Sequence, residues 1–263
     1  MVSRQQIGMS FREAFGIRPG EVISLVGGGG KTTLMFAMAH EMEAAGEKVI
    51  STTTTRIFEP SVSESFLILE SDEERMISRL FSELKNHRHL TLASHKLLDG
   101  KLKGISPETV DLLTELKVVT YIIVEADGSA RKPLKAPNAT EPVIPGSTSL
   151  VIPVVGIDAL GCSLTEDNVF RPEIISRLTG LEPGAPVTED TIAVLLTHNE
   201  GITKSTPANA DIVPLINKID MLPDLSAAES LANKILAKGH PRIKRVVLGQ
   251  IKRREPVVKV IGD

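Results

Sequence analysis

Short apolar runs alternate along the chain with stretches in which apolar residues recur at helical spacing. Residues 22–26, 118–124 and 148–155 are rich in valine and isoleucine, which is typical of strands buried on both faces of a parallel sheet. Residues 34–42 instead place leucine and methionine on one side of a helix. The alternation predicts an α/β fold in three layers with a mainly parallel central sheet. We expect residues 1–263 to form a single domain.

The beginning of the chain is expected to form a short amphipathic helix that packs on the edge of this domain. Pro19 and Gly20 would end it, because neither residue continues a helix well. The apolar residues that recur at helical spacing are Ile7, Phe11, Ala14 and Phe15.

Four glycines follow the first apolar run, and a lysine and two threonines follow the glycines. Glycine has no Cβ, so its backbone can wrap around an anion, and a helix that begins there offers unpaired N–H groups. A lysine at this position reaches the β- and γ-phosphates of a nucleotide, and the adjacent hydroxyl ligates Mg²⁺. The pattern predicts the phosphate-binding loop of a P-loop NTPase-like fold, formed by Gly27, Gly28, Gly29, Gly30, Lys31, Thr32 and Thr33.

This loop is shorter than the standard pattern G-x-x-x-x-G-K-[ST]. The first glycine of that pattern would stand at position 25, which is occupied by Leu25. Either the loop surrounds the phosphates less completely, or another segment completes the cradle. The competing interpretation is a plain glycine turn between a strand and a helix, with Lys31 in solvent.

Two acids stand directly after the apolar run at residues 118–124. A carboxylate at the end of a strand beside a phosphate loop can hold Mg²⁺, directly or through water. It could instead position an attacking water or accept a proton from a substrate. The spacing does not separate the two acids, so both remain candidates. The candidate catalytic residues are Lys31, Glu125 and Asp127, and the candidate metal ligands are Thr32, Glu125 and Asp127.

A third motif, Asn217-Lys218-Ile219-Asp220, follows the apolar stretch 211–216. It matches the Asn-Lys-x-Asp sequence with which GTP-binding domains recognise their base. The Asp220 carboxylate can accept from two neighbouring N–H donors of guanine, a pair that adenine lacks. Asn217 would brace the loop, and the stem of Lys218 would cover the base. The motif favours GTP over ATP, and a plain turn is the alternative.

Polar residues near the predicted site are candidates for contacting a second substrate. Ligands of α/β sheets bind at the carboxyl ends of the strands, where a threonine-rich segment and a basic, proline-rich segment are expected. Residues 156–205 are predicted as an insertion or lid that covers the nucleotide. The candidate substrate contacts are Thr54, Arg56, Arg131 and Lys135.

The composition of the chain excludes some classes of binding partner. The net charge of −3 argues against a general nucleic-acid-binding protein. Cys162 is the single cysteine, so an intramolecular disulfide is excluded and a cytoplasmic location is expected. Apolar runs in the sequence are shorter than a membrane span, and we expect no membrane partner.

Four segments together resemble the YqeC family: residues 27–33, 51–55, 124–135 and 217–220. The most specific is Val-Glu-Ala-Asp-Gly at the beginning of the third segment. This family is described as a selenium cofactor biosynthesis protein, or as an accessory protein of selenium-dependent molybdenum hydroxylases. The resemblance implies a P-loop nucleotide hydrolase that acts in maturation of a selenium-containing molybdenum cofactor. It also implies two further partners, the molybdenum cofactor or its precursor and a maturation protein of the hydroxylase.

Three functions follow from these observations. The first is Mg²⁺-dependent binding and hydrolysis of a nucleoside triphosphate, GTP rather than ATP. The second is a small-molecule kinase or nucleotidyl-transfer enzyme that uses ATP or CTP. The third is a nucleotide-gated protein that delivers or inserts a cofactor, with hydrolysis resetting it.

Overall fold

The computed structural model describes residues 8–263, so Ile7 lies outside the described residues. The predicted first helix is present from residue 11, and Ser10 caps it by accepting from the amide of Glu13. It ends at Phe15 rather than at Pro19 and Gly20, because Gly16 adopts the left-handed conformation that ends a helix. Ser106 and Thr188 cap later helices in the same way. The helices are α1 Phe11–Phe15, α2 Lys31–Ala44, α3 Glu73–Glu83, α4 Pro107–Leu116, α5 Pro172–Thr179, α6 Glu189–Thr197 and α7 Ser226–Ala237.

The strands form one large sheet and one small sheet. Two short 3₁₀ helices, Ile157–Ala159 and Ile219–Met221, follow two of the strands of the large sheet. The strands are β1 Val22–Gly27, β2 Val49–Thr53, β3 Arg56–Phe58, β4 Phe66–Leu69, β5 His89–Ala93, β6 His95–Lys96, β7 Lys101–Lys103, β8 Tyr121–Glu125, β9 Thr148–Gly156, β10 Asp211–Ile212, β11 Leu215–Asn217, β12 Arg245–Gly249 and β13 Val257–Gly262.

The large sheet is parallel except at one edge. Its strand order is β13-β12-β11-β9-β1-β8-β2-β5-β4, and β10 pairs with β9 beside β11. Only β12 and β13 run antiparallel among these pairs of described strands. The small sheet has the order β3-β7-β6 and is antiparallel. Strand β1 lies at the centre of the large sheet, with all its residues buried, as its apolar sequence requires.

Helices cover both faces of the large sheet. Ile23 and Leu25 of β1 belong to the core shared with α1 and α2. Val22 and Val26 point to the opposite face, where the cores contain residues of α3 and α4 and of α5 to α7. The predicted three-layer α/β fold with a mainly parallel central sheet is therefore confirmed.

Two predicted strands differ in detail from the observed ones. The central strand β8 begins at Tyr121 rather than at residue 118 and includes Glu125. The run at 211–216 is split into β10 and β11 around Pro214, because proline has no N–H to donate to a neighbouring strand.

The predicted insertion at residues 156–205 contributes to the main core. Ile175 of α5 and Ile192 of α6 pack in the same cluster as Leu231 of α7. That this segment covers a bound nucleotide stays a prediction. Within residues 8–263, none of the helices combines the length and the apolar character that crossing a bilayer requires.

Candidate functional site

The glycine loop connects the central strand β1 to α2 and packs tightly against neighbouring strand ends. At Gly29, φ is +81° and an added Cβ would lie 2.2 Å from the amide nitrogen of Gly156. At Gly30, φ is +130° and an added Cβ would lie 2.6 Å from Nδ2 of Asn217. A side chain at either position would therefore clash as well as strain the backbone.

Three of the loop's amides donate to acceptors within the protein. Gly27 donates to Oδ2 of Asp127 (3.0 Å), Gly28 to the carbonyl of Val154 (2.8 Å) and Gly29 to the carbonyl of Lys132 (3.0 Å). The first amides of α2 have no acceptor inside the helix, as in any α-helix. The first amides of α2 would therefore hold an anion at this helix end more than the amides of Gly27, Gly28 and Gly29 would.

Lys31, Thr32 and Glu125 form one contact group at the beginning of α2. The Lys31 ammonium is buried, donates to the carbonyl of Gly27 and lies 3.9 Å from Oε1 of Glu125. The Thr32 hydroxyl donates to Oε2 of Glu125 over 2.6 Å. Burial raises the pKa of Glu125, and the Lys31 charge and the Thr32 hydrogen bond oppose that shift. Two of the three candidate metal ligands are thus in direct contact.

Asp127 lies behind the glycine loop and is fully buried. Its Oδ1 is 3.1 Å from the ammonium of Lys31, and its Oδ2 is 3.0 Å from that of Lys135. The same Oδ2 accepts from the amide of Gly27. Asp127 therefore braces the loop from inside the protein, whereas Glu125 faces the beginning of α2.

Lys135 extends this ionic network away from the glycine loop. Its fully buried ammonium donates to the carbonyl of Gly128 (2.7 Å) and to Glu141 (2.9 Å). Arg171, at the beginning of α5, also donates to Glu141, over 2.7 Å. Neither Glu141 nor Arg171 was predicted from the sequence, because each is brought to the network only by tertiary packing.

The segment 217–220 reaches the glycine loop from the end of β11. Nδ2 of Asn217 donates to the carbonyl of Gly29 (2.9 Å), and its Oδ1 accepts from the amide of Ile251 (3.2 Å). The structure thus gives Asn217 the bracing contacts that the motif suggested. Two other residues of the motif form salt bridges. Lys218 pairs with Asp158 at 2.7 Å, and Asp220 pairs with Arg253 at 2.8 Å.

One cavity of about 850 Å³ joins these parts. It extends from the beginning of α2, past Glu125, to Asn217, Lys218 and Asp220. Its basic side is lined by Arg56, Lys101 and Arg131, together with Phe58, a residue that the sequence did not single out. Arg131 lies over the ring of Phe58, with its guanidinium carbon 4.5 Å from the ring centre.

Not all candidate residues line this cavity. Its lining includes Gly29, Gly30, Lys31, Thr32 and Thr33 but not Gly27 or Gly28, which support the loop from behind. Asp127 and Lys135 are buried in the ionic network, and the Thr54 hydroxyl donates to the carbonyl of Val143 (2.6 Å). Of the four predicted substrate contacts, the structure brings Arg56 and Arg131 to the cavity.

Comparison with known proteins identifies the family. A family model described as "YqeC protein" matches residues 23–173. The Escherichia coli (strain K12) protein named "Uncharacterized protein YqeC" is 32% identical over 238 residues, which is 90% of each chain. The chain belongs to the YqeC family. The family match includes the glycine loop, Glu125 and Asp127, and it ends before the segment 217–220.

A solved structure also matches this YqeC-family chain at low similarity. It is FtsY from Mycoplasma mycoides, which is 12% identical with a TM-score of 0.31. The match covers 90% of this chain and 63% of the FtsY chain.

Proposed function

We propose that this protein binds a nucleoside triphosphate with Mg²⁺ in the 850 Å³ cavity, with the phosphates at the beginning of α2. The observation that carries the proposal is the contact group of Lys31, Thr32 and Glu125 at this helix end. It combines a cation for the phosphates with two oxygen ligands beside the positive end of a helix dipole.

The ligand chemistry fits Mg²⁺. The Thr32 hydroxyl and the Glu125 carboxylate are hard oxygen donors, and their oxygens are 2.6 Å apart, close enough to share one cation. When bound, Mg²⁺ would neutralise charge on the β- and γ-phosphates. Lys31 would turn from the carbonyl of Gly27 towards the phosphates, and the amides of residues 31–33 would donate to them.

We further propose that the segment 217–220 selects guanine. Asp220 lines the cavity, and its Oδ2 is held by Arg253. A carboxylate at this place can accept from the paired N–H donors of guanine. Asn217 connects this segment to the glycine loop, so base and phosphates would be held by one connected unit.

The nucleotide's γ-phosphate would be hydrolysed or passed to an anionic small molecule at the basic side of the cavity. The cations Lys101 and Arg131 lie over the exposed ring of Phe58, and Arg56 lines the same cavity. This arrangement suits a flat, negatively charged acceptor. We propose that this acceptor is related to the selenium-containing molybdenum cofactor or its precursor, and that the partner is a hydroxylase maturation protein, as the family resemblance implies.

Calorimetric titration with GTP, ATP and CTP, each with and without Mg²⁺, tests the proposal. We expect Mg²⁺-dependent binding with GTP preferred, loss of triphosphate binding in Lys31→Ala, and loss of the guanine preference in Asp220→Asn. The matched controls are the exposed Lys85→Ala and Asp167→Asn, which should bind as the parent protein does. Absence of binding to all three nucleotides would refute the proposal. Unchanged GTP and ATP affinities in Asp220→Asn would refute base selection alone.

A second candidate function, phosphoryl or nucleotidyl transfer from ATP or CTP, is favoured by the same basic side of the cavity. Preference for ATP or CTP, together with a phosphorylated or nucleotidylated product of an added acceptor, would support it. Slow GTP turnover that a partner protein accelerates would instead support a nucleotide-gated delivery protein.

A further inference from the structure

A second group of metal-ligating side chains lies away from the cavity. His40 and Glu43 stand near the end of α2, and His89 is the first residue of β5. One ligand atom from each of the three residues lies within 4.8 Å of the other two. His40 stands nine positions after Lys31, which is about 13.5 Å along α2. The group is therefore independent of the nucleotide cavity.

In each of the two histidines, one ring nitrogen makes a hydrogen bond, which leaves the other ring nitrogen to bind a metal. Nε2 of His40 lies 2.8 Å from the carbonyl of Glu64. A carbonyl only accepts, so this Nε2 carries the proton and Nδ1 presents a lone pair. Nε2 of His89 is bonded to the hydroxyl of Ser51 at 2.7 Å.

Nδ1 of His89 is a buried polar atom with no hydrogen-bond partner in the part of the chain that the structure describes. The residue is only 2% exposed. Leaving such an atom unpaired costs free energy. A ligand between His89 and the end of α2 would satisfy it.

We propose that His40, Glu43 and His89 bind a divalent transition-metal ion, Zn²⁺, with a fourth position open to water or another ligand. Two imidazoles and one carboxylate form a common zinc ligand set. Bonds from the outer ring nitrogens to a carbonyl and a hydroxyl are the supporting contacts that orient histidine ligands. The ion would tie the end of α2 to the edge at which β5 and β2 begin.

The three ligand atoms lie near the spacing that one metal ion requires. With metal–ligand bonds of about 2.0–2.2 Å, ligand atoms in a tetrahedral site are about 3.3–3.6 Å apart. Rotation of the His40 and Glu43 side chains on the surface of α2 would close the present spacing.

The test is Zn²⁺ binding by the full chain after removal of metals with a chelator. We expect one Zn²⁺ per chain in competition with a chromophoric chelator, and visible absorption of bound Co²⁺ with the intensity of a tetrahedral site. His40→Ala and Glu43→Gln should each weaken Zn²⁺ binding by about tenfold or more. His95→Ala and Glu74→Gln remove the same chemical groups at exposed positions and should bind as the parent does.

Two results would overturn the proposal. One is substoichiometric Zn²⁺ binding by the parent protein, and the other is unchanged affinity in both ligand variants. Circular dichroism in chelator confirms that each variant is folded, and Glu43→Gln keeps the test decisive if His40→Ala does not fold. Nucleotide titration of Glu43→Gln separates this site from the cavity, because its nucleotide affinity should equal that of the parent.

Discussion

Glu125 and Asp127 stand two residues apart at the end of β8, yet their carboxylates have different neighbours. Glu125 accepts from the Thr32 hydroxyl at the edge of the cavity, whereas Asp127 is enclosed by Lys31, Lys135 and the amide of Gly27. Side chains two residues apart point to the same face of a sheet only while the backbone stays extended. Strand β8 ends at Glu125, so Asp127 points in a different direction. At the residue scale, it separates the metal-binding role that we propose for Glu125 from the bracing contacts of Asp127.

We predict that Glu125→Gln and Asp127→Asn have different effects. Glu125→Gln should remove the Mg²⁺ dependence of nucleotide binding with little loss of stability, because burial already disfavours its charged form. Asp127→Asn should lower the free energy of unfolding by about 3 kcal/mol, because it leaves Lys31 and Lys135 short of a buried counter-charge. Urea denaturation and calorimetry with Mg²⁺ measure the two effects.

These roles would be contradicted if Glu125→Gln gave the result expected of Asp127→Asn, and the reverse. If Asp127→Asn removed the Mg²⁺ dependence and unfolded at the parent's urea concentration, Asp127 would be the metal ligand. Asp167→Asn, an amide substitution at an exposed position, controls for the change of charge.

At the element scale, the segment that follows β8 is attached to α5 by ion pairs of Glu141. Burial by itself raises the pKa of Glu141, but Lys135 and Arg171 together outweigh it and lower the pKa below 4.5. Between the lowered and the ordinary pKa, the unfolded chain binds more protons than the folded one. This carboxylate therefore adds stability above pH 4.5 that is lost as pH falls through its folded pKa.

Glu141→Gln should consequently destabilise the protein most at neutral pH. We expect a loss of about 2 kcal/mol at pH 7, because Lys135 stays buried and Arg171 loses its partner. The difference from the parent should shrink as the pH falls below 4.5. Urea denaturation at a series of pH values measures it, with Glu74→Gln as an exposed control. A difference that does not depend on pH would show that the pairing is not ionic.

Asn217 connects two elements, the glycine loop and the turn after β12. In Asn217→Ala, the carbonyl of Gly29 and the amide of Ile251 would lose their partners, which should cost about 2 kcal/mol. The loop would also lose its support, so all nucleotides should bind more weakly by a similar factor. Calorimetry should give an unchanged ratio of GTP to ATP affinity, in contrast to Asp220→Asn. A changed ratio would assign Asn217 to the base itself.

The sequence predicted those elements whose determining residues are neighbours in the chain, and it missed those that depend on tertiary packing. Strands β1, β8 and β9 were predicted because burial on both faces demands apolar runs. The glycine loop was predicted because its residues are contiguous in the chain. Sequence spacing did not place the small sheet of β3, β6 and β7, whose strands are short and partly exposed. Glu141 and Arg171 stand in no motif, and only tertiary packing brings them to Lys135.

At the scale of the whole molecule, α2 spans the distance between two proposed ligand sites. Its beginning carries the contact group of Lys31 and Thr32, and its end carries His40 and Glu43. The sites share a helix but no side chain. Stabilising effects at sites more than about 10 Å apart without shared partners usually add.

Mg²⁺–GTP and Zn²⁺ should therefore raise the melting temperature independently. A ligand at 100 times its dissociation constant raises the free energy of unfolding by about 2.7 kcal/mol. In a domain of this size, that corresponds to a rise of about 5 °C in melting temperature. Scanning fluorimetry should show that the two rises add in the parent protein. Lys31→Ala should lose only the nucleotide rise, and Glu43→Gln only the Zn²⁺ rise. If one variant lost the rise in melting temperature with both ligands, the two sites would be energetically coupled through α2.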